Sequence, residues 1–272
     1  IQENKALLRA NFQLIAQKIK EKFIFSSVLA KNTEGWKARK IGNITFHYKN
    51  VLDNKKAAAY QKLTASFDEK LKIVDNVTNI YCCEGFLEAQ NLIGLNYKSD
   101  YNGEAEGIFA AKVGNKQIMV LGQDKFGDFD PHDLWHDRLS LVVSRNKVYK
   151  PIDEGCAYLY GGSWGFSWEE ILQQFLLKVA TNPQENWAED KENPKDFGEN
   201  KSKHLMVDYV VNALIIKKIE KEKGFSGVWE LLNCGTYPTD NENYYRVLEK
   251  LTGITKANYN EKVWELIRKE RK

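Results

Sequence analysis

Two histidines stand four residues apart in His132-Asp133-Leu134-Trp135-His136. On a helix, residues i and i+4 share one face with Cβ atoms about 5–6 Å apart. Both imidazoles can then turn toward one ion at about 2.0–2.1 Å. The acid after the first histidine points beside such an ion, where Asp133 can take a proton from water whose pKa the ion has lowered. A third protein ligand is needed. Glu154, in Asp153-Glu154-Gly155-Cys156-Ala157-Tyr158, offers one, with Asp153 beside it as the alternative. Seventeen residues separate His136 from Glu154, enough for one helix to finish and the chain to turn back. The 4 His make six pairs, and chance places a four-apart pair in about 0.04 of such chains, so the spacing alone is suggestive and no more. The competing reading is local. Asp133 helps to cap a helix start, and the two histidines are solvated or bonded to nearby acids such as Asp137.

The elements that would position these groups follow from pattern. Asp130-Pro131 is helix-start chemistry, a cap residue followed by Pro at the first helical position, and Leu134, Leu139, Val142 and Val143 continue that helix. A short helix is expected from near Asp153 to Gly161-Gly162, and another over residues 168–179. Residues 205–219 are nearly continuous apolar sequence and predict a buried helix ended by Gly224. Two amphipathic helices follow, over 244–251 and 259–267. Residues 181–203 are almost wholly polar and read as a long loop. The first half differs. Leu8, Phe12, Ile15 and Ile19 repeat at 4-3-4 spacing and predict a helix. Residues 44–48 and 79–83 read as strands, and Tyr60, Leu63, Phe67, Leu71 and Val74 as one face of a helix. Residues 107–112 and 116–121 flank Val113-Gly114-Asn115 as a hairpin.

The 272 residues carry 40 Lys+Arg against 37 Asp+Glu, net charge +3, a balance that gives no field for nucleic acid. Aromatic residues make up 12%, too many for a disordered chain. No apolar run approaches the ~20 residues of a membrane span, so no transmembrane segment is expected. The 4 Cys read as buried thiols or as bridges in any of three pairings. The chain opens at Ile1 without an initiator Met, which reads as a processed or trimmed chain, and an exported setting (periplasmic, extracellular or cell-surface) is expected.

His132-Asp133-Leu134-x-His136 followed by Glu154-Gly155-x-Ala157 resembles the gluzincin metallopeptidases, the thermolysin-like superfamily. It is most similar to the peptidase MA-like group, in which HELxH precedes a helix bearing Glu-Gly. The strand over 116–121 is similar to that family's substrate-facing edge strand. The helix bearing Tyr209 and the segment Leu251-Thr-Gly-Ile-Thr-x-x-x-Tyr259 resemble its helical half. The resemblance covers residues 40–270 and is strongest at 130–162. It implies an α+β, zincin-like fold with an N-terminal mixed sheet and helices plus a C-terminal helical lobe. It divides the chain into an N-terminal α/β lobe with the edge strand (1–128) and the motif helix with the helical lobe (129–272), together one continuous catalytic-type domain. It implies one zinc ion on His132, His136 and Glu154, Asp133 as the base, Tyr209 and His204 as oxyanion stabilisers, and a peptide or protein as substrate or ligand.

Two departures stand against that pattern. The base is Asp133 where the family has Glu, and Pro131 leaves His132 in the first helical turn. The functional expectation is therefore an exported zinc metallopeptidase-like protein attenuated by Asp133. The alternative is a non-catalytic zincin-like binding or structural module. A third reading takes His132-Asp133 and His136-Asp137 as the doublets of an HD-type metal phosphohydrolase, although that fold is all-helical. The remaining candidates have ordinary readings. Trp164, Phe166 and Trp168 pack a helix entry or wall a cleft. Tyr209 is a core tyrosine or an oxyanion donor. His204 is exposed, His47 is a strand residue and Cys156 is a buried thiol.

Overall fold

The computed structural model describes residues 7–101, 103–104, 107–122, 129–198 and 204–271. The fold is α+β, with a mixed sheet in the N-terminal part and helices in the C-terminal part. The chain divides into two compact units, one of Ile1–Ala65 with Val74–Asp128, the other of Ser66–Ile73 with Phe129–Lys272. Gly127, after which the sequence changes character, lies outside the described residues.

The first unit opens on β1 (Ala10–Phe12), β2 (Leu14–Ile19) and β3 (Lys22–Ser27), followed by a single helical turn α1 (Leu29–Asn32). The expected N-terminal helix is thus corrected to strands. β2 and β3 form an antiparallel hairpin in register from Leu14↔Ser27 to Ile19↔Lys22. Lys20 takes a positive φ of 55° at its turn. Leu8, Phe12 and Ile19 remain exposed, so their spacing marks no core face. Strand formation wins because Phe23-Ile24-Phe25, rich in β-formers, pairs back across that turn.

The main sheet of the unit contains β4 (Lys37–Ile41), β5 (Ile44–Tyr48), β6 (Val77–Cys82), β8 (Gly107–Val113) and β9 (Lys116–Gly122) in the order β4-β5-β6-β9-β8. β5, β6 and β9 run parallel, while the two outer strands are antiparallel to their neighbours. Parallel neighbours need a crossover, and α2 (Asn54–Leu71) supplies it between β5 and β6. α3 (Phe86–Leu92) and β7 (Leu95–Lys98), which pairs with β1, follow β6. The 107–122 hairpin turns at Gly114, whose φ of 62° suits glycine. One expectation changes: β9 lies inside the sheet between β6 and β8, and the edge strand is β8. Phe86, Ala89, Leu92, Cys83 and Val120 form a core beneath the sheet, with Tyr81 and Phe109 packed against it.

The second unit is helical: α4 (Pro131–Ser140), α5 (Lys150–Gly161), α6 (Trp168–Thr181), α7 (Trp187–Glu192), α8 (Val207–Lys223), α9 (Phe225–Leu232), α10 (Asn241–Thr252) and α11 (Tyr259–Glu270). α8 is central and buries Val210, Val211, Leu214, Ile215 and Ile219. α5 packs against it closely because Gly155 has no side chain: a Cβ there would meet Ala213 N, Asn212 Cβ and Ile216 Cδ1, each at 3.0 Å. The last turns of α2 join this unit. There Asp68 accepts a 2.7 Å bond from Arg138 Nε on α4, both nearly buried, and Phe67 packs edge-on against Trp135 at 5.5 Å.

The polar stretch 181–203 is not wholly a loop. It contains α7, whose Trp187 is buried against Phe175 and Trp264. Trp187 anchors this short helix despite its polar composition, with Asp190 and Lys191 buried beside it. Residues 199–203 of that stretch lie outside the described residues. All four cysteines are free thiols. No helix among the described residues is long and apolar enough to cross a membrane.

Candidate metal centre

α4 begins as its sequence asks. Asp130 accepts the backbone N–H of His132 at 2.9 Å and Pro131 occupies the first turn. The following turn brings His136 above His132, with the ring centroids 4.7 Å apart. α5 returns against α4 through Gly161, where a Cβ would sit only 2.5 Å from Pro131 C and 2.6 Å from His132 N. That close approach carries Glu154 to the histidines.

Three atoms converge. His132 Nε2 and His136 Nε2 are 3.1 Å apart, and Glu154 Oε2 is 3.3 Å from the first and 3.5 Å from the second. A tetrahedral ion with bonds of about 2.0–2.1 Å places adjacent ligand atoms about 3.3–3.4 Å apart. The triangle fits such an ion, so His132, His136 and Glu154 can hold a metal.

The outer partners orient the rings. His132 Nδ1 donates to the Gly162 carbonyl at 3.0 Å, and His136 Nδ1 donates to Asp153 Oδ1 at 2.9 Å. A carbonyl and an ionised carboxylate only accept, so each Nδ1 holds its proton and each Nε2 faces the centre. Asp153 also takes Trp135 Nε1 at 3.0 Å and Arg145 Nε at 2.8 Å. Arg145 Nη2 reaches Glu154 Oε1 at 3.1 Å. The choice between the two adjacent acids is thereby resolved in geometry: Glu154 faces the histidines and Asp153 stands behind His136.

Protonation follows from these contacts. Burial by itself lowers the His136 pKa, but the bonds to Asp153 and Glu154 more than offset it and bring it to about 9. Burial works to raise both Glu154 and Asp153, yet His132 and His136 hold Glu154, and His136 with Arg145 holds Asp153, below the usual carboxylate range. Asp137 meets His136 only through its charge, with no hydrogen bond between them among the described residues. Burial, helped by Asp133, pushes its carboxyl up to about 6.

A cleft of about 310 Å³ opens on the triad, lined by Asp130, His132, Asp133, Glu154, Tyr158, Ser163, Trp164, His204 and Tyr209. No family model matches this chain, and no curated protein matches it in sequence. The cleft must therefore be read from its own residues.

Of the predicted ligands and catalytic residues, His132, Asp133, Glu154, His204 and Tyr209 border it and His136 does not. Asp133 is exposed. Tyr209, on α8, is half-buried and meets Tyr158 edge-on at 5.4 Å; burial keeps its hydroxyl protonated by raising its pKa. His204 is exposed and ion-paired with Asp196 at 2.5 Å. The aromatic trio separates: Trp168 is buried, whereas Trp164 is 47% exposed. Trp164 stands on a two-residue turn closed by Ser163 and Phe166, with positive φ at Trp164 (54°) and Gly165 (81°). Its indole N–H donates to the His204 carbonyl at 2.9 Å. Sequence reasoning missed Arg145, which lies on a 3-10 turn (Arg145–Lys147) with no motif around it. It also missed the Gly162 carbonyl, a backbone group that no side-chain pattern announces.

Proposed function

We propose that this chain is a zinc-dependent metallopeptidase-like protein of the gluzincin type, acting on a peptide or protein. The observation that carries the reading is the His132/His136/Glu154 triangle with both Nδ1 atoms anchored, bordering a cleft that also holds a free acid and a protonated tyrosine. Zinc held there supplies Lewis acidity toward a peptide carbonyl and lowers the pKa of water. Asp133 faces the same cleft as an acceptor for the proton released from water. Tyr209 offers an O–H to the carbonyl oxygen of a bound peptide. His204, paired with Asp196, lines the cleft beside Trp164. Glu154 and the two imidazoles are oriented before any ligand arrives, so little movement is needed, although His136 must give up a proton when a metal binds.

Asp133 also favours a second reading, a zincin-like binding module. Its carboxylate is one methylene shorter than the glutamate of the resembled motif, which weakens it as a base without affecting the ligands. The HD-type alternative has less support. It calls on Asp133 or Asp137 as ligands, and the metal-capable group among the described residues contains neither.

Metal analysis tests the proposal. The purified protein is expected to hold about one zinc per chain, and zinc is expected to raise its melting temperature as any ligand of the native state does. His132→Ala is expected to abolish that rise. No zinc after incubation, together with an unchanged response in His132→Ala, removes the reading.

A further inference from the structure

We infer that Arg145 is a positioning residue of the metal centre, one guanidinium that sets both the coordinating oxygen of Glu154 and the orientation of His136. The inference rests on the metal reading above.

Arg145 makes three polar contacts here. Nε donates to Asp153 Oδ2 at 2.8 Å, Nη2 donates to Glu154 Oε1 at 3.1 Å, and Nη2 lies 3.3 Å from His136 Nε2. The first two divide the carboxylates. Glu154 Oε1 is taken by Arg145, so Oε2 alone is turned to His132 Nε2 and His136 Nε2. Asp153 Oδ2 is taken by Arg145, so Oδ1 is left to His136 Nδ1 and Trp135 Nε1. A planar fork can hold two carboxylates at once in this way, and a lysine ammonium on a flexible stem cannot do so with the same geometry.

The position argues against a substrate contact. Arg145 does not line the cleft that His132, Glu154 and Asp133 share. Its side chain is 41% exposed, so removal leaves no buried hole. The opposing effect is repulsion between the guanidinium and a divalent ion. Arg145 is bonded to two carboxylates whose charges offset its own, so orientation is expected to dominate.

The experiment measures zinc affinity by competition with a chromophoric chelator for wild type and for Arg145→Ala, Arg145→Lys and Arg145→Gln, with the fold of each checked by far-UV circular dichroism. Loss of an outer-sphere partner is expected to weaken zinc about 10–100-fold in Arg145→Ala. Arg145→Gln, which keeps one donor without charge, is expected to recover part of that loss. Cobalt(II) absorption supplies an independent signature. With Oε1 released, Glu154 can offer both oxygens, and the visible bands of Arg145→Ala are expected to weaken as coordination number rises. Unchanged affinity and an unchanged cobalt spectrum in a folded variant overturn the role. Tighter zinc binding in Arg145→Ala overturns it too, because repulsion then outweighs orientation. If Arg145→Ala does not fold, Arg145→Gln decides by the same measures. A wild type that binds no zinc instead brings down the metal reading itself, a separate result.

Discussion

A carboxylate reaches its proton only over a hydrogen-bond length, and displacements of about 1 Å cost roughly 10²-fold in rate. Asp133 is shorter than glutamate by one methylene, and under the proposed peptidase reading that length is the main chemical handicap of the cleft. Asp133→Glu is expected to raise cleavage of a mixed peptide library by up to about 10²-fold; if neither form cleaves anything, the binding-module reading takes precedence. A second residue has an unusual electrostatic position. Lys191 is buried, with Nζ 4.1 Å from the Tyr244 ring centre and 4.8 Å from that of Tyr149, and it donates to Tyr149 Oη at 2.6 Å. Burial lowers its pKa to about 8 from an ordinary 10.5. Between those values the unfolded chain binds the proton and the folded chain does not, so this residue's contribution to stability rises with pH. His136, whose pKa is raised, acts oppositely up to about pH 9. The useful quantity is therefore a difference: in urea titrations, wild type is expected to gain stability relative to Lys191→Met from pH 8 to 10, by about 3 kcal/mol at most.

At the scale of elements, the centre depends on two helices meeting where one has no side chain. Gly161→Ala drives a Cβ into Pro131 and the His132 backbone. Overpacking of this kind costs about 1–3 kcal/mol, and here the yielding element carries a ligand. Gly161→Ala is expected to lower the melting temperature and weaken zinc together. Gly85→Ala, with φ −179° and open space around it, is expected to do neither. Element boundaries were readable where the chemistry is local. Asp130-Pro131 begins α4, and Gly224 (φ 68°) and Gly253 (φ 74°) end α8 and α10. The β2–β3 hairpin was not readable, because its apolar spacing also suits a helix and only the pairing of residues 22–27 with 14–19 excludes one. α7 was missed for the converse reason: its Trp187, and with it Asp190 and Lys191, are buried despite a polar composition.

Across the whole molecule, the described residues place apolar surface unevenly. Phe23 and Phe25 on β3 are 63% and 65% exposed on a two-stranded hairpin that pairs with no third strand among the described residues. Exposed apolar patches of this kind promote association. Phe23→Ser with Phe25→Ser is expected to leave the melting temperature unchanged while soluble yield rises; a marked drop in melting temperature would show that these rings are packed.

The residue spacing in the sequence by itself determined that two imidazoles share a helix face, that a Glu-Gly follows at the distance of a returning helix, and that the chain is mixed α and β. These follow from periodicity and cap chemistry, which act over a few residues. Only the tertiary structure decided which acid faces the histidines and which stands behind them. Only it brought Arg145 to the triad and Tyr209 and His204 to the adjoining cleft, and only it turned the first segment into strands. Glu154 and Asp153 are adjacent on α5, so which of them meets α4 is set by the rotation of one helix against another. That rotation is fixed by Gly155 against α8 and Gly161 against α4, through close approaches that no local pattern encodes.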